Sequence, residues 1–364
     1  MADLSQEEAF ARIRLLRSPN IGPVSYHQLL RRFGSAIAAL AGLPDLAARG
    51  GAPYRPAPQE RIAGEIAALR KAGGHYLFHD SPAYPPLLAE LADAPPILTA
   101  RGDSALAARP CVAVVGARNA SAAAVKLTRQ LCADLSDAGF VVVSGLARGI
   151  DGAAHRAALD GGTIGVIASG IDIAYPSEHR ELQEEVAGRG LLLAEQPPGT
   201  EPLARHFPSR NRIIAGIAAG TLVVEAAPKS GSLITARLAA EAGREVMAVP
   251  GSPLDPRAQG CNLLIREGAV LVQSAADAVE LLTGFTGAPR SRLREAAAQF
   301  DALPEDLEQQ PADIAAMLTL APVAVDELIR QSGESAQAVQ LALLELELAG
   351  RLARHAGGRV SLAG

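Results

Sequence analysis

Four stretches of this 364-residue chain place Gly with Ser, a basic residue or both shortly after apolar runs. Gly116-Ala117-Arg118 follows residues 111–115, and Ser144-Gly145-Leu146-Ala147-Arg148-Gly149-Ile150-Asp151 follows residues 140–143. Ser169-Gly170 closes the run at 163–167, and Lys229-Ser230-Gly231-Ser232 comes after residues 221–225 and opens a helix. Gly lets backbone N–H groups come close to an anion, Ser adds a hydroxyl donor, and a helix N-terminus favours negative charge. Several such turns in one row could hold several phosphates, more than a single nucleotide needs.

A fifth stretch, Arg205-His206-Phe207-Pro208-Ser209-Arg210-Asn211-Arg212, gathers three arginines around an aromatic residue. Arginine forks match phosphate oxygens. An aromatic face stacks bases in single-strand binders, at roughly 1–3 kcal/mol each. The plain alternative for each arginine is a solvated surface residue, and for Phe207 a core position. Asp151, Glu195 and Glu225 remain as possible general acids or bases, although Asp151 is expected to cap the helix after it. No His/Cys/Asp cluster has metal-ligand spacing, and no cofactor is expected.

The elements that must carry these residues read as an α/β alternation. Apolar runs at 111–115, 140–143, 163–167, 191–195, 221–225 and 245–249 alternate with helical segments, which predicts an α/β, doubly wound parallel sheet. In such a sheet ligands sit beyond the carboxyl ends of the strands, where the first four stretches fall, the fifth lying between the fourth and fifth strands. Residues 1–75 read as short helices around a tight turn at Ile21-Gly22-Pro23, a helical SAM or helix-hairpin-helix-like domain whose turn could meet a phosphate. Residues 76–285 form the Rossmann-like domain, with a Pro- and Tyr-rich stretch at 76–110 as an ordered connector. Residues 286–310 read as a linker, and 311–364 as a winged-helix-like domain with two amphipathic helices, a basic turn and a closing strand.

Charge is unevenly spread. The net of −5 argues against a nucleic-acid binder at first sight, but residues 1–75 carry +4 and residues 286–364 carry −4. Phosphate neutralisation dominates affinity for DNA, so the acidic tail is the part least expected to touch it. Three widely spaced Cys with no CxxC pair suit a reducing cytoplasm. The acidic start, without the apolar core of a signal peptide, and an apolar run at 213–224 too short to span a bilayer suit a soluble protein with no membrane partner.

The same residues carry a resemblance. Gly-Ala-Arg at 116–118, Ser-Gly-Leu-Ala-Arg-Gly-Ile-Asp at 144–151 with His155, and Tyr175-Pro176 are similar to motifs of the DprA/Smf family of DNA-processing proteins. So are Phe-Pro-Ser-Arg-Asn-Arg-Ile-Ile-Ala-Gly at 207–216, Ser-Gly-Ser-Leu-Ile-Thr-Ala-Arg at 230–237, Val249-Pro250-Gly251 and Gly-Cys-Asn-Leu-Leu-Ile at 260–265. The resemblance implies an extended Rossmann fold that binds single-stranded DNA, forms homodimers and loads RecA recombinase during natural transformation, without catalysis. It maps the family's Gly-x-Arg arginine to Arg118, and the basic residue ahead of its Phe-Pro motif to Arg205.

Two enzyme readings compete. A nicotinamide-dependent oxidoreductase needs Gly-x-Gly-x-x-Gly after the first strand, where this chain has Gly116-Ala117-Arg118-Asn119-Ala120-Ser121. A phosphoribohydrolase-like nucleotide hydrolase would carry a Pro-Gly-Gly-x-Gly-Thr motif with a following acid. Here the stretch reads Pro228-Lys229-Ser230-Gly231-Ser232-Leu233-Ile234-Thr235.

Overall fold

In a computed structural model, residues 4–283, 314–355 and 357–363 are described. The linker expected at 286–310 lies outside them. The chain divides into two units, one of residues 1–64 with 294–364 and the other of residues 65–293.

The first unit opens with α1 (Gln6–Leu16), α2 (Pro23–Phe33) and α3 (Ala36–Arg49). Ser5 and Ser35 cap α1 and α3 through their side chains, each 3.1 Å from the backbone N–H it accepts from. Pro23 starts α2, its fixed φ suited to a first helical turn. Helix α4 (Gln59–Lys71) crosses from this unit into the next.

The second unit is a nine-stranded sheet: β1 (His75–Phe78), β2 (Ile97–Gly102), β3 (Cys111–Val115), β4 (Val141–Ser144), β5 (Thr163–Gly170), β6 (Leu191–Gln196), β7 (Gly220–Val223), β8 (Glu245–Ala248) and β9 (Val270–Leu271). Between them run α5 (Pro86–Ala89), α6 (Ala122–Asp137), α7 (Ile150–Ala158), α8 (Arg180–Arg189), α9 (His206–Ile217), α10 (Gly231–Glu241) and α11 (Gln259–Arg266), and α12 (Ala275–Thr283) follows β9. The spatial order is β1-β2-β6-β5-β4-β3-β7-β8-β9. All pairings among β3 to β9 are parallel, and β2 pairs antiparallel with both β1 and β6. The six predicted strands are β3 to β8. The expected connector is more than a connector: it supplies β1 and β2, which add to β6 antiparallel through Thr99↔Ala194. β1 has only four residues, and β2 follows Pro95-Pro96 and mixes Thr99 and Arg101 into its apolar residues, which hid both from the sequence pattern.

Strands buried on both faces explain the unbroken apolar runs. Alternate residues point to opposite sides. Cys111, Ala113, Val115, Val141 and Val143 pack against α9 and α10 through Ile213, Ile214, Ile217 and Ala236. Val112, Val114, Val142 and Leu222 pack against α6, α7 and α12 through Leu131, Leu135, Ile150, Ala154 and Leu282. The chain winds from β3 outward to β6, then returns to place β7 on the other side of β3. The crevice of a doubly wound sheet opens at that reversal, at the carboxyl ends of β3 and β7.

The first unit is completed by α13 (Ile314–Met317), β10 (Val323–Ala324), α14 (Val325–Ser332), α15 (Ala336–Leu348), β11 (Leu352–His355) and β12 (Arg359–Leu362), with sheet order β10-β12-β11. Helix α15 is apolar on two sides. Val339, Leu343 and Leu346 join Leu328, Leu352 and Val360 in one core. Leu344 and Leu348 join Leu15, Tyr26, Leu29, Leu43 and Leu46 of the head in another. The stripe Leu341, Leu344, Leu348 is thus covered by helices of the same chain.

Candidate nucleic-acid interface

Three loops meet at the carboxyl ends of the central strands. The loop after β3 is held from β7, because Ala117 N donates to the Glu225 carbonyl over 2.7 Å and Ser121 N donates to the Glu225 carboxylate over 2.8 Å. It is held from β4 by Ile150 N, which donates to the Ala117 carbonyl over 3.2 Å. Gly149, at φ 71°, permits that approach: a Cβ there would stand 2.2 Å from the Ala117 oxygen. Arg118 leaves this knit of loops exposed.

The guanidinium of Arg118 lies over the ring of Phe207, 5.3 Å from its centroid. Phe207 sits in the first turn of α9, and Tyr175 meets it edge-on with centroids 5.7 Å apart. Tyr175 is 46% exposed and Phe207 half-buried, so the pair offers aromatic surface to solvent beside a cation. Arg148, Arg205, Lys229 and Gly231 are also exposed on loops after β4, β6 and β7, and Ser230 and Gly116 are half-buried. Among the described residues no carboxylate pairs with Arg118, Arg205 or Lys229, whereas Arg148 is paired with Glu178.

Other candidates turn inward. Ser144 is fully buried and donates to the Val114 carbonyl over 2.6 Å, and Ser169 donates to the Ile173 carbonyl over 2.8 Å. The Gly170 N–H is spent on the Thr200 carbonyl, at 2.8 Å. Asn211 is buried and ties α9 to the start of α10 through the Gly231 carbonyl, and Ser232 is buried behind the Ser230 cap. Arg212 lies against Glu195 and donates to the Asp93 carbonyl over 2.7 Å. Arg210 is buried under Phe207, its guanidinium 5.9 Å from the ring centroid and 4.0 Å from the Asp151 carboxylate. The helical period explains the split: Arg210 falls one turn after Phe207 and under it, while Arg205 stands before the helix.

Gly145 makes room for Arg210, since a Cβ there would stand 1.3 Å from the guanidinium Nη1. Next to it Leu146, at φ 55°, holds a left-handed conformation that is rare outside glycine. Its carbonyl faces His179 Nδ1 at 2.9 Å.

Asp151 does not cap α7. Gly149 occupies the cap, and the Asp151 carboxylate accepts from Ala147 N over 3.3 Å while facing Arg210. Burial pushes its carboxyl above the ordinary range, against the pull of Arg210 and the amides of Ala147 and Gly145. Burial likewise lowers Arg210, against the pull of Asp151. Glu195 is occupied by Arg212, and Glu225 by Ser121 N and by Arg257 at 3.7 Å. The three candidate acids each carry an arginine. No group of His, Cys, Asp and Glu could hold a metal among the described residues.

In the head, Gly22 N donates to Ser25 Oγ over 2.9 Å, and Asn20 donates to the Leu348 carbonyl over 3.2 Å. The Gly22 N–H of this turn is thus engaged inside the unit. Tyr175 is the site residue that sequence reasoning did not place; an aromatic ahead of Pro176 at a strand-end loop was its signal.

A mostly parallel Rossmann-like sheet with an N-terminal helical domain and a C-terminal winged helix is an architecture this chain shares with DNA-processing proteins. Residues 75–283 match the family model for DNA recombination-mediator protein A. Residues 6–68 match its N-terminal HHH domain, and residues 298–358 its winged helix domain. The chain belongs to the DNA recombination-mediator protein A family. DNA processing protein DprA of Streptococcus pneumoniae is 48% identical over 53% of this chain and 69% of its own length. Protein Smf of Escherichia coli is 38% identical over 84% of this chain and 82% of its own length. The S. pneumoniae DprA crystal structure superposes with a TM-score of 0.63 at 37% identity, covering 76% of this chain and 97% of that one. The Helicobacter pylori protein, whose structure describes a single-stranded DNA binding mode, gives 0.52 at 28% identity, covering 57% and 95%.

Proposed function

We propose that this chain binds single-stranded DNA along the crest formed by Arg118, Arg148, Arg205, Phe207, Tyr175 and Lys229, and that it acts as a recombination mediator without catalysing a reaction. The observation that carries this reading is the Arg118–Phe207–Tyr175 cluster at the sheet's reversal point: unmatched positive charge beside exposed aromatic surface. Cations track a phosphate backbone, and aromatic rings stack bases without regard to sequence. The H. pylori relative's description as a single-strand binder supports the ligand. Ser144, Gly145, Ser169, Gly170, Arg210, Asn211, Arg212 and Ser232 then act as supports that fix the crest. The occupied carboxylates Asp151, Glu195 and Glu225 favour binding over hydrolysis.

The family description as a recombination mediator supports the finer roles proposed here. The protein protects incoming single strands and loads RecA onto them during natural transformation. It works as a homodimer in the cytoplasm. The exposed apolar residues Val270 and Leu271 on edge strand β9 suit self-association, and three buried free cysteines suit a reducing compartment. No helix among the described residues is long and apolar enough to cross a membrane.

The test is anisotropy titration of a labelled oligothymidylate against wild type, Arg118→Ala, Phe207→Ala and Tyr175→Ala. Each variant should weaken binding by about 1–3 kcal/mol, the scale of one charge-assisted or stacking contact, with Tm hardly moved. Wild-type affinity in all three folded variants would remove the cluster from the site.

A further inference from the structure

Arg148 differs from its neighbours on the crest. Arg118, Arg205 and Lys229 have no carboxylate at ion-pair distance among the described residues, but the Arg148 guanidinium is forked onto Glu178, its Nη2 donating to Oε2 over 3.1 Å and its Nε to Oε1. Both side chains are half or more exposed. Glu178 belongs to the short turn Ser177–His179, directly after Tyr175 and Pro176. That turn is fixed at its far end, where the His179 ring contacts the Leu146 carbonyl and fills the space over Gly152, 2.7 Å from where a Cβ would stand. The segment that brings Tyr175 to Phe207 therefore also brings Glu178 to Arg148.

A carboxylate in this position competes with the ligand. An arginine fork that holds a carboxylate holds a phosphate by the same geometry. Exchanging one for the other gains little, and the displaced carboxylate stays nearby and repels the incoming phosphate. The exchange is favoured only when the phosphate arrives tethered to others already held, since a tether supplies a high effective concentration.

We propose that Glu178 is a specificity-determining residue of the strand site, an internal carboxylate that holds Arg148 until the phosphate of a tethered strand replaces it. This rests on the single-strand reading above. Glu178 lowers affinity for every anion, and most for short ones, which bring few other contacts to pull the exchange through. Arg148 is thereby reserved for long strands.

The experiment is a double-mutant cycle on the full chain, with a twenty-nucleotide oligothymidylate and a trinucleotide as probes. Glu178→Gln keeps the shape and removes the charge. It should tighten binding of the long probe about 3–10-fold and the trinucleotide at least as much, and should steepen the trinucleotide's salt dependence by about 0.7 in log–log slope, the value for one further phosphate contact on a single strand. Arg148→Ala should cost less than about twofold in the wild-type background and abolish the gain in the Glu178→Gln background. Glu178→Ala, with Tm recorded, guards against a local effect of the glutamine. If wild type binds and Arg118→Ala weakens it, but both Glu178 variants bind as wild type does, the proposal is overturned while the site stands. If wild type binds neither probe, the single-strand reading fails and the role of Glu178 with it.

Discussion

Gly145 and Arg210 occupy one space: the guanidinium Nη1 stands 1.3 Å from where a Cβ on Gly145 would be. The residue at the end of β4 is glycine because a buried arginine from α9 lies against it. That arginine faces Asp151 and lies beneath Phe207. One buried contact thus joins the loop after β4 to the helix that presents the aromatic surface.

Gly145→Ala should destabilise the fold by about 2–3 kcal/mol, the cost of overpacking a filled core site. Arg210→Met should cost about 3–5 kcal/mol, because it leaves the Asp151 carboxylate buried without its partner. The two changes share one contact, so the double variant should be less destabilised than their sum. Urea unfolding measures all three. Strict additivity would mean that the two residues do not meet.

Acid should weaken the fold before most carboxylates titrate. His155 is fully buried, faces Thr163 Oγ1 at 2.9 Å, and is pushed down to about 3, chiefly by burial. A depressed histidine is neutral in the fold and protonates in the unfolded chain near its ordinary pKa of about 6.5. The unfolded state binds more protons below that pH, so this contribution is intact above about pH 6.5 and is lost as pH falls towards about 3. The slope should approach about 1.4 kcal/mol per pH unit from this group. Urea midpoints at pH 7.5, 6 and 5 should fall in order for wild type, and less steeply for His155→Gln. Identical slopes would show that His155 does not contribute.

The winged helix is expected to depend on the head. Gly50 has φ −72°, which any residue accepts, yet a Cβ there would stand 2.2 Å from the Glu345 carbonyl of α15. Gln28 and Gln340 pair at 2.8 Å across the same contact. Gly50→Leu should loosen α15 from the head, raising amide exchange in α15. Single-strand affinity should stay within about threefold, roughly 0.6 kcal/mol. Unchanged exchange would contradict the docking, and a tenfold loss of affinity in a folded variant would make the winged helix a DNA reader.

The parallel sheet was legible because strands buried on both faces read as apolar runs, and β3 to β8 fall on those runs. The strand-end loops that carry the proposed crest were legible as well. Exposure was not legible. Arg205, Arg210 and Arg212 look alike in the sequence, and only the placement of α9 against β3, β4 and β5 separates the exposed one from the two that are paired inside. Tyr175 and Phe207 lie on either side of β6, and only the closed sheet brings them together. The Leu344 and Leu348 face of α15 needed a partner from the other end of the chain, which periodicity alone does not name.

The central claim is that the crest holds an unpaired strand by phosphate neutralisation and base stacking. It is tested most directly by measuring affinity for a single-stranded oligonucleotide and for the blunt duplex of the same sequence across a salt series. Tighter binding to the single strand, little dependence on its sequence, and affinity that falls linearly in log–log form with salt are expected. Equal affinity for the two forms at every salt concentration would contradict it.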